Sequence, residues 1–143
     1  MILVMEQVPK LQKIFNTSGP VYLSTSSAWG VMEAAIRNLS SKKVLNCCNG
    51  AFSDKWLDVS KRCGLNAESL SAEWGSPICP EELDKKLATN EFDVVTLVHN
   101  ETSTGVMNPL KEISEIVNKY QDVLLVVDTV SSFSATPINT EEF

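Results

Sequence analysis

The stretch FDVVTLVHN, Phe92–Asn100, runs Val94-Val95-Thr96-Leu97-Val98 without a charge and turns polar at His99 and Asn100. A strand with one face in water alternates apolar and polar residues, whereas a continuous apolar run marks a strand covered on both faces. A second such run, DVLLVVDT (Asp122–Thr129), follows the helical pattern NPLKEISEIVNKY (Asn108–Tyr120), which has Pro109 near its start. Strand, helix and strand, with both strands buried, argue for parallel pairing under covering helices.

The alternation extends toward the N-terminus. AESLSAE (Ala67–Glu73) reads as a weaker strand, KKVLNCCN (Lys42–Asn49) as a strong one and VYLST (Val21–Thr25) as a short one. One helix is expected over Glu6–Asn16, with Val8, Leu11, Ile14 and Phe15 on one face and Gly19-Pro20 as its stop. Another runs from about Gly30 to Leu39, with Met32, Ala35, Ile36 and Leu39 turned inward. GAFSDKWLDVSKRCG is a helix closed by Gly64, and CPEELDKKLATN is a helix opened by Pro80 and the acids after it. The expected fold class is α/β: a three-layer sandwich with a mostly parallel sheet and helices on both faces, with no internal repeat or linker.

The chain has 143 residues, 43% of them hydrophobic, and a net charge of −6. That suits one domain with a real core. The acidic balance, without any Lys or Arg run, argues against nucleic acid or an anionic membrane as partner. No apolar stretch approaches the ~18 residues of a membrane span, and the apolar Met1–Met5 lacks the rest of a signal peptide. A cytoplasmic location is expected. Cys47, Cys48, Cys63 and Cys79 form no CxxC pair, and neighbours on a strand face opposite ways. All four read as packing residues of a reducing compartment.

In an open α/β sheet, ligands gather beyond the carboxyl ends of the strands. Four polar stretches fall there: Ser26-Ser27-Ala28-Trp29-Gly30, Asn49-Gly50-Ala51-Phe52, His99 to Gly105, and Asp128-Thr129-Val130-Ser131-Ser132. Each has two readings. SSAWG is a phosphate seat at a helix start or a plain serine N-cap. It is neither a GxGxxG fingerprint nor a Walker loop. Phe52 stacks on a flat ligand or belongs to the core. Asp128 is a catalytic acid, a metal ligand, a partner for a protonated ring nitrogen, or a cap on the turn after it. His99, the single histidine, has no obvious nucleophile beside it. Glu33, Glu81 and Glu82 fall on helices as solvated or capping residues. No cluster has metal-ligand spacing.

Together these elements match the needs of pyridoxal 5′-phosphate (PLP). Its phosphate needs N–H donors, its ring a flat neighbour, its phenolic oxygen a hydroxyl, and its pyridine nitrogen a carboxylate that keeps the ring protonated as an electron sink.

At this level the sequence resembles the class V PLP-dependent aminotransferases of fold type I. It is similar to the alanine/serine–glyoxylate (serine–pyruvate) aminotransferases and the 2-aminoethylphosphonate–pyruvate transaminases. STSSAWGVMEAAIRNL resembles the S-G-T-G-x-x-E-A-A helix start, and NGAF resembles N-G-x-aromatic. HNETSTGVMNPLKEI resembles H-x-E-[ST]-[ST]-T-G-x-x-x-P-[IL], and VVDTVSSFSATPI resembles V-D-[AS]-V-S-S-x-x-x-x-P.

The resemblance covers nearly the whole chain and implies a role for each matched residue. Ser27, Ala28 and Trp29 hold the phosphate, largely through backbone N–H groups. Phe52 stacks on the ring and Val130 lies under its other face. Thr102 bonds the phenolic oxygen and Asp128 the pyridine nitrogen. It also implies small amino acid and 2-oxo acid substrates, such as glyoxylate or pyruvate, and a homodimer or association with a missing half-chain.

Two departures stand out. Ala28-Trp29 replaces the usual Gly-Thr or Gly-His, so residue 29 offers no hydroxyl. The family's Schiff-base lysine follows the Asp strand, whereas the last lysine here, Lys119, precedes Asp128. The helices of Lys55, Lys61, Lys111 and Lys119 are expected to carry them away from the rim. Residues 1–143 are thus expected to be part of a large cofactor-binding domain, inactive alone. The N-terminal segment, the Schiff-base lysine region and the small C-terminal domain would lie outside it. The competing reading is a non-catalytic module that binds PLP or phosphate, or docks on a partner.

Overall fold

The computed structural model describes residues 7–142. Its elements in chain order are α1 (Val8–Phe15), α2 (Ala28–Leu39), β1 (Val44–Cys48), α3 (Ala51–Arg62), β2 (Ala67–Ser71) and α4 (Pro80–Leu87). They continue with β3 (Val94–Val98), β4 (Asn100–Glu101), β5 (Val106–Met107), α5 (Leu110–Val117), β6 (Leu124–Asp128) and a 3-10 turn (Thr140–Glu142). The main sheet has the order β2-β1-β3-β6, all parallel, with Val94 to Val98 paired in register with Leu124 to Asp128. β4 and β5 form a separate antiparallel pair just beyond β3.

The pleat sends alternate side chains to opposite faces. Leu45, Cys47, Val95 and Leu97 join Leu83 and Leu87 of α4 and Leu110, Ile113 and Val117 of α5 in one core. Val98 packs with Ile36 of α2 and Trp56 of α3, with Val126 of β6 against them, on the other face. The result is the expected three-layer α/β sandwich.

A buried carboxylate anchors the opposite end of the sheet. Asp93 accepts hydrogen bonds from the Ser41, Lys42 and Lys43 backbone N–H groups (2.6, 2.6 and 3.0 Å) and from the Ser40 and Ser41 hydroxyls (2.9 and 3.1 Å). It clamps the α2–β1 connection to the entry of β3.

Several expectations change. Val21–Thr25 is not a strand: among the described residues none pairs with it, and Tyr22 is 87% exposed. A β-rich composition makes a strand only where a ladder partner exists. The run Leu124–Asp128 is a strand, but it lies at the sheet edge with Leu124 half exposed and only Asp128 buried. Leu39, expected inward, is exposed at the last turn of α2. α1 ends at Asn16, whose left-handed conformation (φ 48°) closes it before Gly19-Pro20 is reached. Glu6, expected in that helix, lies outside the described residues, as does Met1–Met5. Gly64 (φ +74°) does close α3. The cysteines divide: Cys47 and Cys48 are buried, whereas Cys79 is exposed and bonds Glu81.

Candidate functional site: the rim beyond the parallel strands

Three of the four polar stretches leave the carboxyl ends of main-sheet strands β1, β3 and β6. The fourth, Ser26–Gly30, enters α2 from a loop rather than from a strand. Ala28, Trp29, Phe52, Thr102, Asp128 and Val130 line one cleft of about 80 Å³, together with Met32, Val98, Asn100 and Ser131. A wider hollow of about 490 Å³ shares Ala28, Met32, Asp128 and Val130 with it. Six of the seven sequence-derived site residues therefore meet at one place. Ser27 stands beside them as the N-cap of α2.

The start of α2 leaves donors free. Ser27 is extended (φ −63°, ψ 161°) and its hydroxyl makes no capping bond. The first N–H groups of a helix have no intrahelical acceptor, so Ala28 and Trp29 present theirs outward. The Trp29 indole meets Trp56 edge-on at 5.9 Å, and the Lys55 ammonium lies 4.9 Å from the Trp29 ring centre. Lys55 thus reaches back to the rim, contrary to expectation. Its helix points away, but a long side chain in the first turns need not.

α3 begins under a buried acid. Glu101 has no exposed surface and accepts from the Ser53 N–H (2.9 Å), the Ser103 hydroxyl (2.6 Å) and the Ser103 N–H (3.2 Å). Burial pushes its carboxyl upward, but the hydrogen bonds from Ser103 and Ser53 outweigh that and hold it below its ordinary range. The sequence reading placed Glu101 in a motif without giving it this role. Gly50 makes the approach possible: a Cβ there would lie 2.3 Å from Glu101 Cγ and 2.7 Å from Ser103 Oγ. Gly50→Ala is expected to destabilise the fold by about 2 kcal/mol, because a side chain forced into a filled site displaces its neighbours. Denaturant unfolding reads this directly, and an unchanged midpoint contradicts it.

Phe52, in the first turn of α3, is 42% exposed, and its ring lines the cleft rather than the core. Thr102 donates to Ser131 Oγ at 2.8 Å, and Ser131 in turn donates to the Asn100 carbonyl at 2.9 Å. His99 is buried with Nδ1 3.0 Å from Ser132 Oγ, and burial lowers its pKa. It ties the β3 exit to the turn after β6, so a hydroxyl does lie beside it, contrary to expectation, but among the described residues no carboxylate bonds the ring to complete a triad. Asn49 and Asn108 bond each other at 3.1 Å and bind the Ser76 carbonyl and Ile78 N–H. That network fixes the loops behind the cleft.

Asp128 is 7% exposed. Its Oδ1 accepts from the Val130 N–H at 3.0 Å and its Oδ2 from the Trp56 indole N–H at 3.3 Å. The bond to Val130 bears out the turn-capping reading. Among the described residues no cation faces this buried carboxylate, and no group of His, Cys, Asp or Glu is arranged to hold a metal ion. No helix among them is long and apolar enough to cross a membrane.

The family profile described as aminotransferase class-V matches residues 24–143. This chain belongs to the class-V aminotransferases. An uncharacterised aminotransferase of Methanocaldococcus jannaschii is 39% identical over 99% of the chain and 37% of its own length. The serine–glyoxylate aminotransferase of Methylorubrum extorquens is 33% identical over 92% of the chain and 35% of its own length. The crystal structure of an alanine–glyoxylate aminotransferase from Nostoc sp. superposes with a TM-score of 0.89 at 31% identity, covering 98% of this chain and 38% of that one. The chain thus spans little more than a third of the length of these class-V relatives. Membership of the class-V aminotransferases implies PLP as the cofactor.

Proposed function

We propose that the protein to which these residues belong transfers an amino group from a small amino acid to a 2-oxo acid such as glyoxylate or pyruvate, and that residues 1–143 form part of its cofactor-binding domain. The observation that carries this reading is Asp128: a buried carboxylate with two N–H donors and, among the described residues, no cation opposite, at the edge of a cleft lined by an aromatic ring. Burying a carboxylate is costly unless a positive partner arrives, and a protonated pyridine nitrogen is such a partner. The chemistry of the other donors fits the same group. The uncapped start of α2, at Ser27, Ala28 and Trp29, suits a phosphate. Phe52 and Val130 give the cleft apolar walls for a flat ring. The Thr102 hydroxyl, tied to Ser131, suits a phenolic oxygen.

When bound, PLP supplies an electron sink for charge developing at the substrate's α-carbon. This chain's contribution is to hold the ring, to keep its nitrogen protonated through Asp128, and to seat the phosphate. The proton carrier and covalent anchor of such chemistry is a lysine. The Lys55 ammonium is occupied at the Trp29 ring. We therefore propose that residues 1–143 alone bind the cofactor without completing transamination. We also propose a cytoplasmic homodimer. A full-length protein whose light-scattering mass equals one chain contradicts the dimer.

The experiment is a half-reaction on the full-length protein. Mixing the cofactor-loaded enzyme with serine or alanine is expected to convert the aldehyde-form absorbance to the amine form, and glyoxylate or pyruvate to restore it. Absence of any spectral cycle with these partners contradicts the reading.

A further inference from the structure

We propose that Trp56 is the positioning residue for Asp128. The proposal rests on the reading of the rim as a PLP site. It follows from what the Trp56 side chain touches. Trp56 is 2% exposed in the inner face of α3, in the cluster with Ile36 and Val98. Its single polar atom, Nε1, donates to Asp128 Oδ2 at 3.3 Å. An indole N–H only donates, so it specifies an acceptor oxygen at that point. The other carboxylate oxygen is held by the Val130 N–H at 3.0 Å. With one fixed donor on each oxygen, the carboxylate plane is locked, and its remaining lone pairs are directed before any ligand enters. Preorganisation of this kind removes an ordering cost from binding.

The same indole supports the start of α2. Trp29 meets Trp56 edge-on at 5.9 Å, so one side chain braces both the acid and the residue that stands where the resemblance has Thr or His. Trp56→Phe keeps most of the apolar volume and removes the N–H. Oδ2 then loses its fixed donor, and the carboxylate is free to turn about its terminal torsion, which is soft.

The test compares two ligands on the full-length protein, both measured by fluorescence titration. They are pyridoxamine phosphate and its analogue with carbon in place of the ring nitrogen. Wild type is expected to prefer pyridoxamine phosphate. Trp56→Phe is expected to weaken pyridoxamine phosphate about tenfold, which is ~1.4 kcal/mol, and to leave the analogue within about twofold. A merely structural role would weaken both ligands equally. That result, or an unchanged preference, overturns the proposal. If wild type itself does not distinguish the two ligands, the cofactor reading fails rather than the role of Trp56.

Should Trp56→Phe not fold, wild type still carries the test. The 15N resonance of the Trp56 indole is expected to shift on adding pyridoxamine phosphate and to stay in place with the analogue. An indole resonance indifferent to both ligands, in a protein that binds them, overturns the proposal.

Discussion

Asp128→Asn in the full-length protein is expected to lower kcat/KM for amino transfer to glyoxylate about 10²- to 10³-fold while leaving the fold intact. Asparagine has nearly the same volume, and its carbonyl oxygen can still accept one of the two N–H groups now bound by the carboxylate. What it lacks is the negative charge. A fixed charge aimed at a buried site is worth several kcal/mol because little water screens it, and loss of one such contact costs rates of this order. The effect should fall on the chemical step. The phosphate seat proposed at Ser27, Ala28 and Trp29 is untouched by the substitution, so the variant should still bind cofactor, though more weakly. Steady-state kinetics with excess PLP separate the two effects. A variant with wild-type kcat would show that position 128 merely caps the turn through Val130.

The second large effect concerns stability and lies at the other end of the sheet. Asp93→Ala is expected to cost about 3–5 kcal/mol, since it strands three backbone N–H groups and two hydroxyls in a largely buried corner. Thermal or denaturant unfolding measures it, and a loss under about 1 kcal/mol would contradict the clamp. The same group sets an acid limit. Burial raises the Asp93 pKa, but the N–H groups of Ser41 and Lys42, the Ser40 hydroxyl and the Lys43 N–H outweigh it, so the folded value lies below the ordinary 3.8. A depressed carboxyl binds its proton less readily in the folded state. Its stabilisation is complete above pH 3.8 and is lost as the pH falls through the folded value. Asp93→Asn should flatten the stability profile in that range. His99 acts higher: burial lowers its pKa below 6.5, so the unfolded chain takes the proton first and stability declines as pH drops below 6.5.

Much of this was legible in the sequence because the signals are local. Val94–Val98 and Val44–Cys48 are uncharged, mostly apolar runs that call for two covered faces, with Thr96 and Asn46 as their polar members, and Pro80, Pro109 and Gly64 punctuate the helices as backbone chemistry requires. The rim was legible for the same reason: polar residues directly after such runs must sit at strand ends. Val21–Thr25 shows the limit, since β-favouring residues without a ladder partner stay extended and exposed. Leu124–Asp128 shows another, because an apolar run carries no mark of whether its strand lies inside the sheet or at its edge. Asp93, Glu101 and Trp56 were missed because their roles depend on partners roughly 50 to 70 residues away. For Trp56 a signal existed: an aromatic one helical turn after Phe52, on the inner face of a helix that starts at the rim.

The most direct measurement is a crystal structure of the full-length protein with pyridoxamine phosphate bound. We predict an Asp128 carboxylate oxygen at about 2.7–2.9 Å from the pyridine nitrogen, the spacing of a charge-assisted hydrogen bond. A carboxylate turned toward the Thr129–Val130 backbone alone, with the ring nitrogen facing another group, would contradict the account.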